Sequence, residues 1–264
     1  MPEKMELVLG NQIYVAKDTL SPELRNRLLR LAAFQNPEFY RAQAMRLSTY
    51  GKDRIVACAE DYPHHIGLPR GCFEDVKGLL SDLKIEPLIR DERFEGKRLD
   101  VSFHGVLRPD QKLAAAAMCR HDTGVLSAAT AFGKTVIAAW LIAERAVNTL
   151  VLVHRRQLLE QWVERLSTFL GLPVKAIGKI GGGKKKPTGM LDVALIQSLV
   201  RKGVVDDRVG EYGHLVVDEC HRLTAAIVGR ICFCSKTAMW YCDSWLRMSA
   251  PISMIFSTPS FESW

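Results

Sequence analysis

Residues 124–144 constrain this chain more than any other stretch. A short apolar run, Gly124 to Ala128, leads into Ala128-Ala129-Thr130-Ala131-Phe132-Gly133-Lys134-Thr135, and an Ala-rich helical stretch, Thr135 to Glu144, follows at once. Strand, tight loop, helix is the context that a phosphate-binding loop requires. In such a loop the backbone N–H groups point inward, and the helix N-terminus adds positive potential. Lys134 can then reach the β- and γ-phosphates of a nucleotide. The Thr135 hydroxyl can take one Mg²⁺ position, leaving the rest to water, phosphate and a distant carboxylate. The loop departs from the general pattern at Ala128 and at Ala131, where many such loops carry Gly. Gly alone accepts positive φ without penalty, so the alanines predict a loop built in conformations open to Ala.

The second half of the site is His214-Leu215-Val216-Val217-Asp218-Glu219-Cys220-His221. An apolar strand ends in two carboxylates, and the carboxyl end of a strand is where nucleotides sit in open parallel sheets. Asp218 would hold Mg²⁺ through water. Glu219 would orient and deprotonate the attacking water. Between loop and carboxylates, strands alternate with helices, which argues for a parallel sheet with crossover helices. Leu150 to Val153, Val174 to Ile177, Val193 to Ile196 and Leu215 to Val217 read as strands. Gln157 to Leu170 reads as an amphipathic helix burying Leu158, Leu159, Trp162, Leu166 and Phe169.

Residues 1–100 read as a smaller α/β unit. Glu6 to Ala16 alternates like one strand. Ser21 caps a helix with Pro22 and Glu23 in its first turn, burying Leu24, Leu28 and Leu31. Arg25, Arg27 and Arg30 on that helix are either a solvated surface or a phosphate-binding face. Arg54 to Ala59 reads as a strand. A loop punctuated by Pro63, Gly67, Pro69 and Gly71 follows, then a helix from Phe73 turning Val76, Leu79, Leu80 and Leu83 inward, then a strand from Pro87 to Arg93.

Composition adds bounds. The chain has 264 residues, 48% of them hydrophobic, and a formal net charge of +7, so a buried core and a polyanionic partner are both in reach. Its charged start lacks the apolar run of a signal peptide, and no stretch reaches the length of a membrane span. A cytoplasmic protein without membrane contact is the expectation. The seven cysteines are odd in number, and Cys232, Cys234 and Cys242 have poor zinc spacing.

With these residues in place, residues 101–224 resemble the first motor lobe of superfamily 2 helicases of the DEAD/DEAH type. The likeness is nearest to the XPB-like branch and to helicases of bacterial conflict systems associated with primase-like proteins. It implies ATP and Mg²⁺ as ligands and double- or single-stranded DNA as partner. Leu107-Arg108-Pro109-Asp110-Gln111 resembles the adenine-reading segment, which implies that Gln111 donates to N7 and accepts from N6; the plain alternative is a surface residue after a Pro turn. Val151 to Trp162 resembles the segment lining the nucleic-acid path. Arg155 and Arg156, at a helix start, suit a phosphate or are simply solvated. Gly181 to Lys186 is a basic turn whose Lys184 and Lys185 lie along a nucleic-acid backbone or form a solvated hairpin. Gln197, in Ile196 to Leu199, matches a segment touching that backbone. His221 implies a link between nucleotide state and nucleic acid, or else a local hydrogen bond.

The expectation is therefore an α/β protein. A small domain over 1–100, with a vague likeness to a DNA-contacting domain, precedes a RecA-like P-loop lobe with a parallel sheet over 101–230. The likeness stops near Thr224, and Ser249-Ala250-Pro251 departs from the family segment expected there. Residues 231–264 read as an atypical tail, either a truncated or frame-shifted end or an apolar partner-binding segment. On this reading a protein partner supplies the second motor lobe, and the chain alone turns over ATP slowly. The alternatives are a nucleotide- or DNA-binding module without turnover, and another P-loop enzyme such as a nucleotide kinase.

Overall fold

Sequence periodicity and turn residues account for most of two separate units, divided between Glu92 and Arg93. The computed structural model describes residues 3–129, 131–201, 204–220 and 236–242.

The first unit runs β1 (Glu3–Leu9), β2 (Ile13–Ala16), α1 (Pro22–Leu31), β3 (Ala33–Gln35), α2 (Pro37–Ala44), β4 (Ile55–Ala57), β5 (Glu60–Asp61), β6 (His65–Leu68), α3 (Phe73–Asp82) and β7 (Ile85–Asp91). Its main sheet has the order β5-β6-β2-β1-β7, with β1 and β7 parallel. Leu7, Ile13, Val15, Ile66 and Leu68 meet Leu28 of α1 and Val76 and Leu80 of α3 in one core. The Ser21 hydroxyl accepts from Leu24 N, as its capping position predicts.

Three expectations change here. Glu6 to Ala16 is a hairpin rather than one strand, because Gly10 to Gln12 turn the chain and return Ile13 opposite Leu9. The Pro/Gly-rich loop contains β6. Its Gly67 marks a close approach rather than a turn, since a Cβ there would stand 1.9 Å from Gln12 Oε1. Leu83 follows the end of α3 and is 38% exposed.

The second unit runs α4 (Pro109–Cys119), β8 (Thr123–Ser127), α5 (Lys134–Arg145), β9 (Thr149–Val153), α6 (Arg156–Leu170), β10 (Gly178–Gly181), β11 (Lys184–Lys186), β12 (Leu191–Leu195), α7 (Ile196–Leu199), β13 (Val200–Arg201), β14 (Val204–Val205), β15 (His214–Val217) and β16 (Thr237–Cys242). Seven strands form one sheet in the order β11-β10-β12-β9-β15-β16-β8. Six run parallel, and β11 is the antiparallel edge. Every residue of β9 and β15 is buried, as strands covered on both faces require. Because the strands are parallel, the loops after β8, β9, β12 and β15 leave the sheet at one end. That end carries the site.

Two expectations move within this unit. On α6 the buried face is Leu159, Trp162, Val163, Leu166 and Leu170; Leu158 and Phe169 flank it and are only half-buried. Val174 to Ala176 is a 3₁₀ turn, not a strand, because Pro173 bends the chain and Ala176 N donates to Pro173 O at 2.8 Å. The strand starts later, at Gly178.

The largest correction is β16. It pairs with β15 on one side and β8 on the other, so it is an interior strand of the sheet, not part of a tail. Thr-Ala-Met-Trp-Tyr-Cys shows no alternation because a central parallel strand is buried on both faces, and a short apolar run has no period to read. Among the described residues no helix is long and apolar enough to cross a membrane.

Candidate nucleotide site and nucleic-acid edge

The loop between β8 and α5 turns twice into left-handed backbone. Gly133 has φ 91° and Ala131 has φ 70°. Gly133 is required twice over, since a Cβ would also lie 2.4 Å from Gln111 Nε2. Ala131 overturns the expectation of Ala-compatible geometry: the loop closes through a conformation that Ala adopts only under strain. Phe132 N donates to Ala129 O at 3.2 Å across this turn.

Lys134 folds over this loop and donates from Nζ to Ala128 O at 2.9 Å and Ala129 O at 3.3 Å. Its ammonium is thereby held by two carbonyls of the loop. Thr135, in the first turn of α5, is 9% exposed. Gln111, 3% exposed in the first turn of α4, braces the loop from the other side. Its Oε1 accepts from Arg108 N at 3.0 Å and its Nε2 donates to Phe132 O at 2.7 Å. Arg108 was not singled out from sequence. Its guanidinium donates to Phe132 O at 3.0 Å and lies 5.7 Å from the centre of the Phe132 ring.

Asp218 and Glu219 follow β15. Asp218 N donates to Leu152 O at 2.9 Å, so the neighbouring strand β9 fixes the carboxylate's backbone. Glu219 has φ 54°, a second strained residue in the site. Burial pushes the Asp218 carboxyl above the ordinary carboxylate range; the Trp162 hydrogen bond and the Lys134 charge pull the other way, and the Glu219 charge adds to the push. The buried Asp218 carboxylate, within reach of the Lys134 charge, and the buried Thr135 hydroxyl offer the oxygen donors that a hard cation such as Mg²⁺ accepts. Among the described residues no group of three or more His, Cys, Asp or Glu competes as a metal cluster.

Sequence reasoning placed Trp162 in the core but missed its polar end. Trp162 Nε1 donates to Asp218 Oδ2 at 2.8 Å. The signal was available, because a buried indole N–H needs a partner. Arg165, one turn later on α6, donates to Thr135 Oγ1 at 3.4 Å.

The nucleic-acid candidates converge at the other edge. Gln197 of α7 donates to His154 O at 3.1 Å, directly before Arg155. Arg155 and Arg156 are exposed at the start of α6. A Cβ on Gly182 would lie 3.2 Å from Arg156 Nε, so the β10–β11 turn stands against that arginine. Lys179 of β10 pairs with Glu160 of α6. The basic turn is a β-hairpin, with Lys184 opposite Gly181 and Lys185 opposite Ile180. Thr130, His221 and Ser249 to Pro251 lie outside the described residues, as do the side chains of Lys184 and Lys185. In the first unit Arg25 pairs with Asp61 at 3.0 Å.

Residues 104–252 match the family described as "Type III restriction enzyme, res subunit". "Putative helicase 109L" of Invertebrate iridescent virus 3 is 28% identical over 214 residues, covering 77% of this chain and 62% of that protein. "Putative DNA 3'-5' helicase Rad25" of Halobacterium salinarum is 34% identical over 147 residues, covering 54% of this chain and 24% of that protein. The crystal structure of T4 UvsW shares the fold with a TM-score of 0.69 at 19% identity, covering 96% of this chain and 56% of that one. The chain thus spans less than two thirds of each. The family match runs through β16, past Thr224, where the sequence likeness was expected to end.

Proposed function

Because this chain belongs to the family described as "Type III restriction enzyme, res subunit" and carries the first motor lobe of a superfamily 2 helicase, we propose that it binds ATP with Mg²⁺ between the Ala128–Thr135 loop and Asp218, and DNA along the Arg155–Gln197 edge. One observation supports this most: a buried carboxylate and a buried threonine hydroxyl are held by the same helix, α6, beside a lysine folded on its phosphate loop. Nothing in a nucleotide kinase requires the second, basic edge.

Lys134 exchanges its two loop carbonyls for β- and γ-phosphate oxygens. Thr135 would supply a direct oxygen to Mg²⁺, and Asp218 would hold the ion through water. Bound there, Mg²⁺ would neutralise charge on those phosphates. Glu219 takes the proton of the attacking water. Gln111 uses one N–H on Phe132 and one lone pair on Arg108 N, which leaves one N–H and one lone pair for the N7/N6 edge of adenine. Gln111 is 3% exposed, so adenine reaches that edge only once its cover shifts. Thr130 completes the loop, and His221 follows the carboxylates as the link to the DNA side.

At the edge, Arg155 and Arg156 meet phosphates, Gln197 fixes the Arg155 backbone through His154 O, and Lys184 and Lys185 extend the track. Contacts of this kind read the backbone rather than the bases. Duplex and single strand are both in reach. Coupling hydrolysis to DNA remodelling needs a second motor lobe, and the small first domain is read as adding DNA contact.

The test is equilibrium titration of the chain with a fluorescent ATP analogue, with and without Mg²⁺, followed by ATPase assays with and without DNA. No nucleotide binding sinks the proposal. Binding without turnover in any condition selects the non-hydrolysing module instead.

A further inference from the structure

Asp218 is held by a donor that nucleotide chemistry itself does not call for. Trp162 is 2% exposed, and its Nε1 donates to Asp218 Oδ2 at 2.8 Å. Any carbonyl would satisfy a buried indole N–H. Here the partner is the carboxylate assigned to Mg²⁺. One turn along the same helix, Arg165 donates to Thr135 Oγ1, the other oxygen of that set. The first residues of α6 stand at the DNA edge. Arg156 and Trp162 are about 9 Å apart along the helix, well within one rigid element.

We propose that Trp162 is a positioning residue for the Mg²⁺ site, fixing the orientation of the Asp218 carboxylate and tying it through α6 to the DNA edge. The inference rests on the reading of Asp218 and Thr135 as Mg²⁺ oxygens. A carboxylate with one oxygen pinned presents the other in a single orientation. Groups that orient a metal ligand in this way change metal affinity by about 10–100-fold when removed. A merely space-filling tryptophan would show no such selectivity.

The experiment uses the full chain and two replacements. Trp162→Phe keeps an aromatic ring and loses the donor. Benzothienyl-alanine at position 162, introduced by amber suppression, keeps the shape of indole with sulfur in place of N–H. Affinity for a fluorescent, non-hydrolysable ATP analogue is measured in EDTA and across a Mg²⁺ titration. Electron paramagnetic resonance of Mn²⁺ then reports the metal directly. The expected result is unchanged affinity in EDTA, with the Mg²⁺ midpoint raised about 10–100-fold in both chains. Should Trp162→Phe lose its cooperative melt, the isosteric chain decides. Equal Mg²⁺ midpoints in the wild type and the benzothienyl chain overturn the proposal. The underlying reading fails separately, and takes the proposal with it, if Mg²⁺ adds no affinity to the wild type and Asp218→Asn behaves like it.

Discussion

The two ends of the proposed ligand path handle left-handed backbone in opposite ways. At the DNA edge, Gly181, Gly182 and Gly183 carry φ of 125°, 63° and 86°. At the nucleotide end, Ala131 and Glu219 carry positive φ without being glycine. Glycine adopts this conformation freely, whereas a residue with a Cβ does so at a cost of about 1–2 kcal/mol. The edge is therefore relaxed, exposed and built of replaceable charges. The nucleotide end is strained and interlocked through Gln111, Trp162 and Arg165, with Thr135 and Asp218 buried beneath an exposed Ala131. Strain of that kind persists only where the surroundings over-determine it. The comparison predicts steep, all-or-none losses at one end and graded, salt-sensitive losses at the other.

The largest loss should follow Glu219→Gln. An amide can hold the water and cannot accept its proton, so turnover should fall by about 10²–10⁴ while nucleotide affinity stays. Single-turnover ATPase beside equilibrium titration separates the two; a parallel loss of affinity would mean that Glu219 only shapes the loop. Lys134→Ala comes next. Removing one partner of a desolvated charge pair costs about 3–5 kcal/mol, so affinity for ATP with Mg²⁺ should drop at least a hundredfold. Wild-type affinity in that variant would remove the nucleotide end from the comparison altogether.

How much of this was legible in the sequence follows the same division. The loop, the carboxylates and the strands that deliver them are local patterns, and they were readable because Gly133-Lys134-Thr135 and Asp218-Glu219 each sit at a change of element. What sequence could not show depends on neighbours distant in the chain. The positive φ of Ala131 belongs to the closed loop and not to the residue type, so the alanine gave no warning. Strand β16 was hidden because burial on both faces erases alternation, although it joins the strand of Asp218 to the strand of the loop. In the first unit the Gln12–Gly67 approach similarly concealed β6 within a Pro/Gly-rich stretch. At the edge the sequence offered the residues one by one as candidates, and only folding brings Gly182 against Arg156 and Gln197 against His154.

Gln111→Ala sharpens the nucleotide end further. It removes both a loop brace and the adenine contact. The brace serves every nucleotide, so its loss lowers ATP and GTP affinity together. The adenine contact alone changes their ratio, by about 1–3 kcal/mol if both remaining hydrogen bonds are made. Competition binding reads the ratio, and a constant ratio with weaker binding would leave Gln111 as a brace only. At the edge, Arg155→Ala and Arg156→Ala should each weaken DNA binding modestly and across sequences. Each should also make the dependence of log affinity on log salt shallower by about one unit. A variant with full affinity and an unchanged slope would show a solvated arginine.

The smallest effect concerns the strain itself. Ala131→Gly removes the penalty at φ 70°, worth about 1–2 kcal/mol. Glycine gives back part of this by widening the unfolded ensemble, a cost of roughly 0.5–1 kcal/mol. The difference should stabilise the chain by less than about 1 kcal/mol, raising the thermal midpoint by at most a few degrees for a chain of this size. Nucleotide affinity should change little, because Lys134, Thr135 and Asp218 keep their partners. Calorimetry of both chains without nucleotide measures the midpoint. A lower midpoint in Ala131→Gly would mean that the empty loop holds Ala131 at negative φ. The nucleotide end would then be as relaxed as the glycine hairpin, and the contrast between the two ends would reduce to burial and charge.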